Sequence, residues 1–163
     1  MLSCLFLVLA LIVLYIFVVY KLFGYLPTSL SQTAYMFGGY RRYIFTAVCY
    51  SIGFGILPAL FELTPDNLTF LPFIFGMGLF LAGLTPAFMD TKYENKIHCT
   101  SAIMAFVAYL VYLIVYMDWY WLFIFVVGFL SLYSWKKKCY IFFAEMLAIL
   151  SVTLWCIIEL WKR

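Results

Sequence analysis

Six apolar runs divide the chain, at 2–20, 43–63, 70–89, 97–117, 119–135 and 139–161, and the charged residues fall almost entirely between them. Runs of roughly 17–25 residues, wound as helices, match the hydrocarbon thickness of a bilayer. The pattern predicts an all-α polytopic membrane protein: a bundle of six transmembrane helices in one domain. The fifth run is the shortest and reaches spanning length only if Trp135 belongs to it. The first is read as a retained helix, not a signal peptide, because no basic stretch precedes it and no small-residue cleavage site ends it.

The longest polar connection is GYLPTSLSQTAYMFGGY at 24–40. Ser29 and Gln32 have capping-box spacing, Pro27 lies just upstream, and Gly38 and Gly39 supply a stop. Leu30, Ala34 and Phe37 would share one helical face, with Ser31 and Thr33 turned away. That arrangement predicts a short helix over 29–37 lying in the membrane interface.

Small residues interrupt two of the runs at four-residue spacing: Ser51, Gly55 and Ala59 in the second, Gly78, Ala82 and Pro86 in the third. Such stripes let helix backbones approach closely, so both are expected to face other helices. Pro58 predicts a kink in the second run.

Composition removes the alternative of a soluble domain. The chain is 68% hydrophobic, 23% aromatic and 10% charged, with a mean hydropathy of +1.09. Soluble domains are about 45–50% apolar and about 25% charged, and 163 residues could not hide so much apolar surface from water. The net charge of +3 implies no nucleic-acid partner, because the basic residues sit at run ends and form no patch.

Their distribution orients the chain instead. Lys21, Arg41, Arg42, Lys92, Lys96, Lys136, Lys137 and Lys138 fall on one side of the threading, against only Lys162 and Arg163 on the other. By the positive-inside rule the first side is cytoplasmic and both termini are outside. Trp119, Trp121 and Trp161 on the outer side and Trp135 on the inner would form the aromatic belts.

The stretch LTPAFMDTKYENKIHCTSAIM, 84–104, holds the only histidine. Asp90, Glu94 and His98 are four apart and would form one stripe if the joint is helical. Glu145 lies about seven residues past Lys138, hence roughly 10 Å below the inner surface at 1.5 Å per residue. His98 begins its run from the same side, so the two are expected to approach each other within the inner third of the membrane. An ionisable group at that depth costs about 2.5–3.5 kcal/mol on the gentler insertion scale and normally faces the bundle with a partner. Glu145 and His98 are therefore read as a proton- or cation-handling pair with Asp90 and Glu94 at its mouth. The alternative has Glu145 protonated and hydrogen-bonded to a hydroxyl, and His98 simply interfacial.

Other chemistries find less support. Ser101, His98 and Asp90 contain the residue types of a hydrolytic triad, but nucleophile-elbow glycines are missing. One histidine is too few for a zinc hydrolase, and Cys4, Cys49, Cys99, Cys139 and Cys156 have no metal-ligand spacing, so no metal or cofactor is expected. The cysteines read as free thiols acting as small hydrophobes, with Cys4 and Cys156 alone at similar depth. An enzyme is the least supported class.

Four short motifs, PTSLSQTAY at 27–35, LTP at 63–65, AGLTPAF at 82–88 and ExxxHxxSA at 94–102, together resemble a group of small multi-pass bacterial inner-membrane proteins of unknown function. The resemblance runs from about residue 24 to the sixth run. It implies a bacterial inner-membrane location, marks the 86–98 joint as the patterned part, and carries no activity. Two functional classes follow from the sequence. One is a small transporter or channel-like protein passing a proton, ion or small solute through an inner-side polar pocket. The other is a non-catalytic scaffold, sensor, lipid-binding protein or subunit. Membrane lipids are the expected partners, with a homo-oligomer or a partner membrane protein compatible with the small-residue stripes.

Overall fold

The computed structural model describes residues 1–135 and 137–163. It is all-helical, with no strand among the described residues. Seven α-helices follow one another: α1 (Leu2–Phe23), α2 (Gln32–Phe37), α3 (Tyr43–Leu63), α4 (Phe70–Leu84), α5 (Lys92–Val115), α6 (Trp119–Trp135) and α7 (Tyr140–Lys162). Four of the long helices, α1, α3, α5 and α7, and α4 with the turn before it are long and apolar enough to cross a membrane; α6 is a shorter apolar helix. At 17 residues α6 is about 26 Å long against a hydrocarbon core of about 30 Å. Large apolar side chains such as Leu7, Val13, Phe54, Ile103 and Ile114 stand exposed around the bundle. Exposed apolar surface on this scale suits lipid, not water.

One contiguous core runs through the bundle, from Leu5, Ile12 and Val19 on α1 through Ile52 and Ile56 on α3 to Tyr109 and Tyr112 on α5 and Val152 on α7. Hydroxyls within it are paired: Tyr112 with Thr64 at 2.7 Å and Tyr109 with Ser151 at 2.8 Å. Pairing removes the penalty that a lone buried hydroxyl would carry. The tightest helix contact is α4 on α5, where a Cβ built on Gly78 would lie 2.6 Å from the Ser101 carbonyl oxygen and 2.7 Å from the Ala105 nitrogen.

The small stripe of the second run divides between two environments. Ala59 is buried and Gly55 faces Val8 of α1, but Ser51 is exposed on the lipid side. The expectation that the whole stripe meets other helices is corrected at Ser51, which lines a groove between α1 and α3. In the third run Gly78 and Ala82 are buried as the spacing requires.

Two helix boundaries move relative to the apolar pattern. α4 ends at Leu84 rather than at 89, because Thr85 precedes Pro86 and leaves the helical region, with its hydroxyl donating back to the Leu81 and Ala82 carbonyls at 3.1 and 3.2 Å. α5 starts at Lys92 rather than 97, with Thr91 as N-cap accepting the Glu94 N–H at 3.1 Å. Hydropathy misses this first turn because it is polar.

The 24–42 connection departs furthest from expectation. Gly24 ends α1 in the left-handed region, its N–H on the Tyr20 carbonyl at 2.8 Å. Only Gln32–Phe37 is regular helix, and its approach is built from i→i+3 bonds such as Thr33 N–H to the Leu30 carbonyl at 3.2 Å. The Ser29 hydroxyl does accept the Gln32 N–H at 3.2 Å, but the Gln32 side chain returns to the Thr28 N–H at 2.6 Å, one residue earlier than a capping box would place it. The segment packs against protein instead of lying on the surface with one face outward. Leu30, Ser31, Thr33 and Ala34 are all buried, and Thr33, expected on the outward side, pairs with the Tyr15 hydroxyl of α1. The connection is tucked into the end of the bundle.

Charges cluster at the two ends. At one end Arg163 meets Glu62 at 3.2 Å and Lys162 meets Glu159 at 2.7 Å; at the other Arg42 meets Asp90 at 3.0 Å. Lys136 lies outside the described residues, as do the side chains of Trp135 and Lys137. Trp119 and Trp161 are 78% and 75% exposed, as belt residues would be, but Trp121 is 5% exposed and belongs to the core. The Arg42–Asp90 pair is partly exposed, so Asp90→Asn should lower thermal stability in detergent by no more than about 1 kcal/mol. A larger loss would mean that the pair holds the connection down.

Candidate functional site

α5 and α7 start from the same end of the bundle. His98 lies six residues into α5 and Glu145 five into α7, which puts both roughly 8–9 Å below that end. Equal depth is what allows two residues so distant in sequence to share one space. They line a single cavity of ≈ 80 Å³ among α3, α4, α5, α7 and the tucked connection. By the measure in which one water needs roughly 10–15 Å³, this holds more than one. Its wall is otherwise aromatic and aliphatic, including Phe45, Phe75, Phe106 and Ile149.

His98 is 4% exposed and held on three sides. Phe88 stacks on its ring at 4.1 Å between centroids and 12° between planes, and Phe45 lies at 6.1 Å. Nδ1 is 3.0 Å from the Ala82 carbonyl oxygen and 3.1 Å from the Thr85 hydroxyl. A carbonyl oxygen only accepts, so Nδ1 carries the proton and the neutral ring keeps its lone pair on Nε2. Ala82 lies in the last turn of α4, where its carbonyl has no i+4 helical partner. It takes only the Thr85 N–H at 3.4 Å and the Thr85 hydroxyl at 3.2 Å, which leaves it able to accept from His98. The Pro86 turn thus creates both the acceptor and the stacking ring that orient His98.

Glu145 faces the connection. Its Oε2 accepts the Leu30 N–H at 2.6 Å, and one turn earlier the Phe142 N–H donates to the Thr28 carbonyl at 3.0 Å. Leu30 and Ser31 form part of the cavity wall. The connection therefore closes the cavity at this end, and Glu145 belongs at once to the wall and to the closure. No direct hydrogen bond joins His98 and Glu145.

The other expected site residues separate from this pair. Asp90 precedes the N-cap of α5, so it is not on the His98 stripe; it is exposed and bonded to Arg42, with the Tyr35 hydroxyl at 3.5 Å. Tyr35 also accepts the Met89 N–H, and desolvation raises its phenol above the usual value, so it remains a neutral donor. Glu94 sits in the first turn of α5 with Oε2 buried and without a partner. Ser101 is buried, but its hydroxyl bonds back to the Ile97 carbonyl at 2.7 Å and its backbone packs on Gly78. It therefore presents no nucleophile to His98.

The cysteines, Cys4 and Cys156 included, are free thiols. Among the described residues no group of three or more His, Cys, Asp or Glu side chains is placed to share a metal ion. The backbone groups of Leu30 and Ala82 and the Thr85 hydroxyl complete the site. Sequence offered only one signal for them, the helix-ending Thr85-Pro86 step. Comparison with known protein families, with curated proteins and with solved structures finds no match to this chain.

Proposed function

We propose that the chain is a six-span protein of the bacterial inner membrane, both termini outside and basic loops cytoplasmic, that passes a proton, ion or small solute through the His98–Glu145 cavity. The observation that carries this reading is the shared cavity itself: an oriented imidazole, its Nδ1 committed to Ala82, and the Glu145 carboxyl line one partly open space at one depth. Ionisable groups inside membranes are costly to keep and mark proton and substrate paths. Glu145 would hold the proton or cation, His98 Nε2 would be the second acceptor, and the 24–42 connection would be the closure on the cytoplasmic side.

Proteoliposomes loaded with a pH-sensitive dye test the reading. An imposed gradient should drive a flux through the wild type that falls at least about tenfold in Glu145→Gln, whose fold the hydrogen bond to Leu30 preserves. Wild-type flux in that variant, or no flux from the wild type, would reject it. The threading is tested separately in a cysteine-free background. An impermeant thiol reagent applied to intact cells should label Asp118→Cys and spare Lys138→Cys; the reverse pattern inverts the topology.

A second reading, a lipid-binding scaffold, is favoured by the groove between α1 and α3. It measures ≈ 540 Å³, is lined by Leu7, Leu11, Leu14, Ser51 and Phe54, and opens toward the surface. A lipid retained in native mass spectra and lost on Ser51→Leu would support it.

A further inference from the structure

We propose that the His98–Glu145 cavity binds a small protonated amine, an alkylammonium of a few carbons, with Glu145 as counter-charge and His98 Nε2 as second acceptor. The inference rests on the reading of this cavity as the functional site and names its ligand class. It comes from asking which hydrogen-bonding roles remain vacant in the wall.

Each role can be assigned. His98 Nδ1–H is committed to the Ala82 carbonyl, which leaves Nε2, a bare acceptor. Glu145 Oε2 takes the Leu30 N–H, and Oε1 has no protein donor among the described residues. The Tyr109 hydroxyl is engaged with Ser151 and the Ser31 hydroxyl with Ser29. No lysine or arginine lines the cavity among the described residues. With Glu145 ionised, the free groups of the wall are acceptors apart from the Cys49 thiol, a weak donor. The wall therefore favours a cationic donor, and an anion would meet a carboxylate and no cation to balance it.

Among donors, the rest of the wall selects. Hard metal cations take six or more oxygen ligands, and this cavity offers one carboxylate and one imidazole. An ammonium is satisfied by a few acceptors and gains from ring faces within about 6 Å, and the aromatic residues Phe45, Phe75, Phe106 and Tyr109 line the cavity. The aliphatic part of an alkylammonium fits the apolar remainder, where a hydrated ion would lose its water. The ≈ 80 Å³ corresponds to roughly five to eight water-sized positions, which suits a short alkyl chain better than a polyamine.

His98 is the only histidine, so [15N]histidine labelling of the purified protein gives one Nδ1 and one Nε2 signal. Titration with n-propylammonium should shift Nε2 saturably and leave Nδ1 nearly still. n-Propanol, sodium and potassium should do neither at equal concentration. Glu145→Gln should weaken the propylammonium response by roughly tenfold or more. Equal responses to propanol and propylammonium in the wild type would overturn the proposal whether or not any variant folds, as would a Glu145→Gln protein that folds and keeps wild-type affinity. Amine binding without flux in proteoliposomes would make the cavity a receptor: the proposal stands and the transport reading falls. Glu145-dependent proton flux with no amine response would do the reverse, overturning the amine proposal and leaving proton transport in place.

Discussion

Replacing Gly78 with alanine is expected to destabilise the bundle by about 2–3 kcal/mol, more than alanine at any other helical glycine. The reason is what the added methyl would strike. At Gly78 it meets the backbone of α5 at 2.6 and 2.7 Å, and backbone cannot turn aside. At Gly55 the nearest atom is closer still, 2.2 Å, but it is a Val8 methyl on α1. Val8 is buried and, being β-branched, has little rotamer freedom, but it borders the open α1–α3 groove and can shift into it. Gly55→Ala should therefore cost less than Gly78→Ala, about 1 kcal/mol after the helix-propensity gain of roughly 0.5–1 kcal/mol is counted. Overpacking a close-packed interface costs about 1–3 kcal/mol. Thermal unfolding in detergent, followed by intrinsic fluorescence, ranks the two variants. A Gly78→Ala loss below about 1 kcal/mol would show that α4 and α5 can separate at little cost, against the close backbone contact between them.

The second large effect is expected from Glu145→Leu. Leucine fills much of the same volume but leaves the Leu30 N–H, buried and bonded at 2.6 Å, without an acceptor. A buried donor stranded in this way costs about 1–3 kcal/mol. The loss should be local. Hydrogen exchange at 28–37 should rise sharply, while the amides of α3 and α4 stay protected. Glu145→Gln keeps an acceptor at the same position and should exchange nearly as the wild type does. If both variants exchange alike across 28–37, the carboxylate is not what holds the connection in place.

These two positions also show what was legible in the sequence. Gly78 could be read because four-residue spacing of small residues has one main physical cause, close helix approach. The depth of Glu145 and His98 could be read because helix rise converts sequence offset into distance. The partner of Glu145 could not, because it is a backbone N–H, a group every residue but proline carries. The same holds for the Ala82 carbonyl that orients His98. The outward orientation expected for Ser31 and Thr33 in the 24–42 connection fails for a related reason. Its two-faced pattern fits an interfacial helix, yet Thr33 and Ser31 turn inward because Tyr15 and Ser29 satisfy them there. A polar residue looks outward in sequence until its buried partner is known. Asp90 fell off its stripe because Thr91, one residue on, is the better helix cap.

The short α6 leaves one consequence for the surrounding lipid. If it crosses as the sixth span, its roughly 26 Å must be met by a bilayer whose apolar layer is near 30 Å elsewhere around the bundle. Acyl chains beside Trp119–Trp135 would compress or tilt to match, so this flank of the protein wears a thinner collar than the flanks formed by the longer α1, α5 and α7. In vesicles of graded acyl length, the thicker ones should strain this flank first. α6 would then be the helix that loosens earliest from α7, and the membrane's own thickness would become a control on how firmly the bundle closes.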